Sequence, residues 1–355
     1  MMHIKGRGGR VPAEDAPGCI QRALAGRSGV PEQIAHEAAV ADNVVVYVGE
    51  ALARYGFPAG HPLGVDRQAA FWAEAERMGL HRKVRVREPR MASHEELARF
   101  HTPQHVSWVA LRSHTGEGYL DYGDTPAFPG VFEAGATVAG TALEGLDCIM
   151  AGEASKTFQP IGGLHHARRS GAAGFCVFND LGVVIETLRA KYGVQRIAYV
   201  DIDVHHGDGV FYAYESDPGL ILVDIHESGH FLYPGTGHAH ESGKGAARGN
   251  KLNLPLDPGA GDREFFAAWE RALAHLRRHD PQFVILQCGA DSLAGDPLAD
   301  LRLTPEAHAR AAHDAARLAN EVAGGRMMVF GGGGYALRNL AAAWTRVLAE
   351  TIDAR

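Results

Sequence analysis

The chain has 355 residues, of which 46% are hydrophobic and 22% are charged, and this ordinary balance excludes disordered, fibrous and collagen-like proteins. Its formal charge of −7, from 35 basic and 42 acidic residues, provides no basic field for a phosphate backbone, which excludes nucleic acid as the main partner. The sequence contains no apolar run of about 18 residues and no secretory h-region, which predicts a cytoplasmic protein with no membrane partner.

The N-terminal part of the chain changes character near residue 40. Residues 1–40 show no sustained hydrophobic period and predict a partly disordered extension. One domain is expected over residues 41–355. Its first half predicts strands at 43–49 and 84–88, helices at 66–79, from Ser93 and at 131–151, and a long loop at 114–130. Asp66 is an expected N-cap, and Ser93 with Glu96 forms a capping-box pattern.

The second half of the chain alternates regularly between helical and strand patterns. A glycine-punctuated loop at 159–180 is followed by predicted strands VQRIAYVDID, GLILVDIHE, PQFVILQCGAD and RMMVFGGGGY, with helices between them and a helix from about 337. Thr304, Pro305 and Gly324 mark the ends of one helix. The near-continuous apolar strands predict a doubly wound, mostly parallel α/β sheet with helices on both faces.

The richest chemistry lies at the predicted carboxyl ends of these strands, where ligands bind in such sheets. Asp203 and His205 follow IAYV, and Asp291 follows FVILQCGA. Two carboxylates and one imidazole leave an open position on Zn²⁺ or another divalent transition metal. Because the four cysteines are widely spaced and form no C-x-x-C pair, a thiolate site is not expected. The alternative is a hydrogen-bond network at the strand ends.

Further polar residues complete a candidate active site. His165 and His166 form a tandem pair in the glycine-rich loop, and Asp201 and Asp208 are spare carboxylates that could orient histidines. These predict Asp–His pairs for acid–base chemistry beside a metal. Tyr335 follows four glycines that match no phosphate-binding motif, so it is a candidate oxyanion donor; otherwise it is an ordinary partly buried tyrosine.

Five sequence blocks resemble the histone deacetylase superfamily in family order: GGLHHARRSGAAGFCVFND, YVDIDVHHGDGV, HESGHFLYPGTG, GADSLAGDPL and GGGGYALRNLAAAWT. The resemblance runs from about residue 43 to the C-terminus and is strongest to class I enzymes and bacterial acetoin-utilisation deacetylases. It implies an arginase/deacetylase fold and zinc-dependent hydrolysis of N-acetyl-lysine in acetylated proteins. It also implies that residues 41–355 form the catalytic domain.

The resemblance assigns roles to individual residues. It implies one Zn²⁺ held by Asp203, His205 and Asp291, pairs His165–Asp201 and His166–Asp208 with the division of base and acid work open, and Tyr335 as the oxyanion donor. It places Gly174, Phe175 and Tyr233 in the substrate tunnel, Asp124 at its rim and Arg67 in an inner pocket. It also implies a monovalent cation, typically K⁺, near the backbone of Asp201, Asp203 and His205.

The sequence departs from the family at two of these places. Tyr233 stands where Phe is usual, which adds a hydroxyl to the tunnel wall, and Asp224 stands where class I enzymes have Ser beside the cation.

The sequence is also compatible with three other functions. One is an acetylpolyamine amidohydrolase, and another is a ureohydrolase that uses two Mn²⁺. A third is a non-enzymatic acetyl-lysine binder. Oligomeric state is not indicated by the sequence.

Overall fold

The computed structural model describes residues 43–58 and 60–354. The predicted extension at 1–40 lies outside these residues, as does Cys19. Within the described chain, no helix combines the length and apolarity needed to cross a bilayer.

One eight-stranded sheet organises the described chain, and every strand pairs in parallel with its neighbours. The spatial order is β2-β1-β3-β8-β7-β4-β5-β6. The strands are β1 Val44–Tyr47, β2 Arg85–Arg87, β3 Lys156–Gln159, β4 Ile197–Asp201, β5 Leu220–Glu227, β6 Lys251–Leu256, β7 Phe283–Gln287 and β8 Met327–Phe330. The predicted doubly wound α/β class is confirmed.

Ten α-helices connect and cover the strands of the described chain. They are α1 Glu50–Ala53, α2 Arg67–Arg77, α3 His94–Leu97, α4 Pro103–Thr115, α5 Val131–Met150, α6 Asp180–Tyr192, α7 Asp208–Ala213, α8 Asp262–Arg278, α9 Pro305–Val322 and α10 Leu337–Asp353. Short 3₁₀ turns lie at Leu80–Arg82 and Gly245–Ala247.

Both faces of the sheet are buried, because alternate residues of each strand enter different cores. On β4, Ala198 and Val200 join the core formed with α2, α8, α9 and α10. Ile197 and Tyr199 point the other way, into a core that includes residues of α5, α6 and α7. This three-layer packing explains why the strands read as continuous apolar runs.

Local sequence signals predict most helix ends correctly. The capping box of Ser93 and Glu96 is present, with both reciprocal hydrogen bonds, and the Thr304 hydroxyl accepts from Glu306 N–H. Asp66 occupies the N-cap position of α2, as predicted, but its backbone is helical and its side chain accepts no capping hydrogen bond. The helix begun at Ser93 stops after one turn, and Thr102 with Pro103 starts a separate helix.

Candidate active site

The ligand triad, Asp203, His205 and Asp291, converges at the carboxyl ends of two adjacent strands. β4 ends at Asp201 and pairs in register with β7, which ends at Gln287, so the segments that follow leave the sheet side by side. Nδ1 of His205 lies 3.1 Å from Asp203 Oδ1 and 3.2 Å from Asp291 Oδ2. Ligands about 2.0–2.1 Å from one tetrahedral zinc lie roughly 3.3 Å apart. The three ligand atoms therefore have the spacing of a single metal site.

The backbone after β4 does not stay extended. Asp201 is the last strand residue, and residues 203–205 form bends, which place Asp203 and His205 together while Asp201 points elsewhere. The Asp203 carboxylate is fixed by N–H donors from Gln287 and Gly333, at 2.9 and 2.8 Å. Asp291 Oδ1 accepts from Val204 N–H.

One oxygen of the ligand triad has no hydrogen-bond donor. Asp291 Oδ2 is buried without a hydrogen-bond partner, a costly arrangement unless a cation is bound there. Burial and the charge of Asp203 raise the pKa of Asp291 to about 7. Glycine also shapes this place, because a Cβ on Gly333 would lie 2.0 Å from the same oxygen. Among the described residues, this is the one cluster whose three ligand atoms approach closely enough for a metal ion.

The tandem histidines each hold one of the spare carboxylates. Nδ1 of His165 lies 2.8 Å from Asp201 Oδ2, and Nδ1 of His166 lies 2.7 Å from Asp208 Oδ1. The two Nε2 atoms lie 3.1 Å apart. The structure thus brings together both Asp–His pairs in the arrangement that the family resemblance implies.

The two histidines have opposite electrostatics. Burial disfavours a charged His165, but Asp201 and Asp203 outweigh it and raise the pKa of His165 to about 10. Burial, together with the charge of His165, lowers the pKa of His166 to about 4. Buried imidazoles that share one proton between them behave in this way, because the second charge is opposed by the first.

Tyr335 enters the same site from the glycine run after β8. Burial, with the nearby carboxylates of Asp291 and Asp203, raises the pKa of its phenol well above the usual value, so it stays a hydrogen-bond donor. Asp296, which the sequence reading missed, accepts hydrogen bonds from the Tyr335 N–H at 2.9 Å and the Ala336 N–H at 3.4 Å. Asp296 therefore fixes the backbone that carries the tyrosine.

Arg67 is buried behind the glycine run. Its guanidinium donates to the carbonyls of Gly332 and Gly334 and lies 5.1 Å from the ring centroid of Trp344. Burial lowers the pKa of the Arg67 guanidinium from its ordinary value. Arg67 thus supports the inner side of the site.

A narrow cavity leads to the ligand triad. This entrance cavity, about 220 Å³, is lined by Asp124, His166, Gly174, Phe175, His205, Leu232, Tyr233, Leu298 and Tyr335. A deeper space of about 20 Å³ continues past His165, Asp203 and Gly333. All the predicted tunnel residues line the entrance cavity, whereas Arg67 lines neither space.

The entrance wall is held in an unusual backbone conformation. Phe175 has a φ of 68°, which costs free energy in a residue with a Cβ. Its N–H donates to Thr125 Oγ1, and its carbonyl accepts from Tyr55 Oη at 2.7 Å. Tyr55 also accepts from Val177 N–H. These contacts compensate the strain and keep the ring in the wall.

The rim loop, residues 119–126, carries Asp124 and is folded around Asp121. The Asp121 carboxylate accepts from the N–H groups of Gly123, Asp124 and Thr125 and from the Thr125 hydroxyl. Burial opposes ionisation of Asp121, but these donors prevail and lower its pKa. The D-Y-G-D-T spacing is a signal of such an Asx-type turn that the sequence reading did not use.

Two polar residues near the site have other partners. Asp224, which lies in register beside Asp201, pairs with His226 at 2.6 Å and accepts from Gly207 N–H. His206, for which the sequence gives no role, lies 2.9 Å from the Thr236 hydroxyl. The predicted K⁺ near Asp201, Asp203 and His205 stays a prediction.

A sequence profile for the histone deacetylase domain matches residues 61–351. The chain belongs to the histone deacetylase family. It is 35% identical to "Acetoin utilization protein AcuC" of Bacillus subtilis over 87% of this chain and 82% of that protein. It is also 33% identical to "Histone deacetylase RPD3" of Saccharomyces cerevisiae, over 85% of this chain and 70% of that protein. For "Histone deacetylase 8" of Xenopus tropicalis the identity is 34%, over 77% and 74%.

The fold has a counterpart among solved structures. The crystal structure of the HDA15 HD domain superposes with a TM-score of 0.78 at 28% identity, and the match covers 88% of each chain. Family and fold therefore agree, and together they support a deacetylase hydrolase of the arginase/deacetylase fold.

Proposed function

We propose that this protein is a zinc-dependent amidohydrolase that removes acetyl groups from N-acetyl-lysine side chains of proteins. The observation that carries the proposal is that His205 of the ligand triad lines the entrance cavity, with His166 and Tyr335 in the same wall. We also propose that residues 41–355 form the catalytic domain. The extension at 1–40 receives no role.

Zinc held by Asp203, His205 and Asp291 would polarise the acetyl carbonyl and lower the pKa of the attacking water. His166 lies in the cavity wall with Asp208 on its Nδ1, so its Nε2, which lies 3.1 Å from Nε2 of His165, would take the proton of that water and later protonate the leaving amine. His165, paired with Asp201, lines the deeper space behind it. The Tyr335 hydroxyl would donate to the oxyanion that develops on the acetyl carbonyl.

The shape of the cavity supports a lysine side chain as the group that enters. Phe175, Leu232 and Tyr233 form a largely apolar passage that suits four methylene groups. Asp124, exposed at the rim, can accept hydrogen bonds from the peptide N–H groups that flank the acetylated lysine. Arg67 lies behind the glycine run, bonded to the carbonyls of Gly332 and Gly334.

The test is acetate release from an acetyl-lysine peptide and from acetylspermidine, with metal removed by a chelator and restored with Zn²⁺. We expect turnover of the peptide that stops on chelation and returns with zinc. Tyr335→Phe should lower kcat by about 100- to 1,000-fold, the usual effect of losing one oxyanion donor. Tyr192→Phe, which removes a hydroxyl bonded to the remote Asp147, is the matched control and should keep full activity.

The outcomes separate the rival functions. Faster turnover of acetylspermidine would assign the enzyme to polyamines, and two Mn²⁺ per chain with hydrolysis of a guanidine would assign it to the ureohydrolases. If neither acetylated compound released acetate in the presence of zinc, the proposal would be wrong.

A further inference from the structure

Three histidines outside the active site lie side by side on the protein surface. His230, His238 and His240 belong to the segment that leaves β5, and we call them the histidine trio. The ring centroids of His230 and His238 are 4.7 Å apart, and those of His238 and His240 are 5.6 Å apart. His230 and His240 are exposed and His238 is half-buried, so solvent reaches all three rings.

The trio lines a surface depression of its own. This depression, about 450 Å³, is bounded by Ser228, His230, His238, Ala239, His240 and Pro255 and is distinct from the entrance cavity. In the described part of the chain, no side-chain nitrogen of the trio has a hydrogen-bond partner. The turn beneath the rings is nevertheless fixed, because Glu241 accepts from the N–H groups of Gly237 and His238.

These separations suit a shared metal ion. With Zn–N bonds of about 2.0–2.1 Å and tetrahedral angles, the ring centroids of two imidazoles on one zinc lie roughly 5 Å apart. The observed 4.7 and 5.6 Å bracket that value, although the rings of His238 and His240 are stacked, with 6° between their planes. The ring nitrogens of the trio do not all lie within 4.8 Å of one another, as the three ligand atoms of the triad do. Rotation of exposed side chains about χ1 and χ2, which takes picoseconds to nanoseconds, would bring them together.

We propose that the histidine trio is a second metal site, which binds a divalent transition metal of the class that prefers imidazole, with zinc as the representative ion. Three neutral imidazoles would supply three ligands, and water would complete the coordination. Nothing in the chemistry proposed for the ligand triad requires this second ion. The site would exist whether or not the protein hydrolyses acetyl-lysine.

The position of the trio gives the second ion a structural consequence. His230 lies before Leu232 and Tyr233 in the chain, and His238 and His240 lie after them, so one metal would tie together both ends of the segment that forms part of the entrance wall. Closing a short loop through a metal restricts its motion. We therefore expect metal at the trio to make residues 228–240 more rigid.

The experiment counts zinc on the full chain. Protein is dialysed against excess free Zn²⁺ at mildly alkaline pH, and bound metal is measured by elemental analysis. We expect two zinc ions per chain in the wild type and one in His238→Ala or in the double variant His230→Ala/His240→Ala. His114→Ala, which removes an exposed histidine from α4, is the matched control and should still bind two.

A separate variant distinguishes loss of the ion at the ligand triad from loss of the ion at the trio. His205→Ala should lose the ion of the ligand triad and keep the one at the trio, so the two sites fail independently. Hydrogen exchange of residues 228–240 should slow on zinc addition in the wild type and in His205→Ala, but not in His238→Ala. One zinc per chain in the wild type, or an unchanged zinc count in both trio variants, would overturn the proposal.

Discussion

Gly333→Ala should remove the metal from the active site and leave the fold intact. Gly333 has no unusual φ, so alanine is acceptable to the backbone, but the new Cβ would lie 2.0 Å from Asp291 Oδ2 and 2.9 Å from Asp203 Oδ2. Real Cβ contacts are essentially never shorter than 3.0 Å, so the Asp291 oxygen must move by about 1 Å. Metal–ligand distances tolerate only about 0.2 Å. One ligand of the triad is therefore lost.

The expected loss of zinc affinity is larger than the loss caused by removing a residue that only orients a metal ligand. Removing a partner that merely orients a ligand lowers metal affinity by about 10- to 100-fold. We expect Gly333→Ala to lower zinc affinity by at least about 100-fold, or roughly 2.8 kcal/mol of binding free energy. Competition with a chromophoric chelator measures this affinity, and acetate release at limiting zinc should fall in parallel.

Gly171→Ala is the matched control, because its Cβ would meet no atom within 4 Å and its φ is ordinary. It should bind zinc like the wild type, and circular dichroism should give the same spectrum for both variants. If Gly333→Ala bound zinc with wild-type affinity, the assignment of Asp291 as a metal ligand would be refuted.

Substitutions at three further residues test how the site is supported. Asp296→Ala should lower kcat more than it raises KM, because the Tyr335 N–H loses its acceptor. Asp296→Asn should restore part of the rate. Steady-state kinetics on an acetyl-lysine peptide measures both effects. Asp121→Ala should raise KM for the peptide with little change in kcat. The reason is that four hydrogen-bond donors of the rim loop, which presents Asp124, share the Asp121 carboxylate as their acceptor and would lose it. An unchanged KM would contradict this. Tyr55→Phe should destabilise the protein by about 1–3 kcal/mol, since the Val177 N–H is left buried without an acceptor, and urea denaturation measures the loss.

The fold was largely predictable from hydrophobic pattern, with two informative exceptions. The strands β3 and β6 were not predicted. The β3 sequence KTFQ contains two polar residues, Lys156 and Gln159, whose side chains are buried and hydrogen-bonded. The Lys156 ammonium donates to Asn320, and the Gln159 amide donates to the carbonyls of Val138 and Ile161. In β6, Pro255 contradicts a strand pattern, but this is an edge strand, where a missing N–H is tolerated.

The candidate site was predictable in its ligands but not in its supports. The ligand triad and the histidine pair carry side-chain chemistry that stands out in any sequence. The supporting contacts are made with backbone N–H and carbonyl groups, by Asp121, Asp296 and Tyr55. Some of these partners are far away in the sequence: Tyr55 donates to the carbonyl of Phe175, which is 120 residues away. No local pattern encodes such a contact, because the partner is a backbone group that every residue possesses.

The place of β8 in the sheet has a consequence for biosynthesis. The last strand of the chain inserts between β3 and β7, so the sheet has a gap at its centre until Met327–Phe330 has been made. Gly333 and Tyr335 follow that strand directly, which means that the pocket around the ligand triad is completed only once residues 327–335 have been made. Pairing across such long separations is slow compared with local structure. A chain that stops before Met327 therefore lacks a finished pocket around the ligand triad.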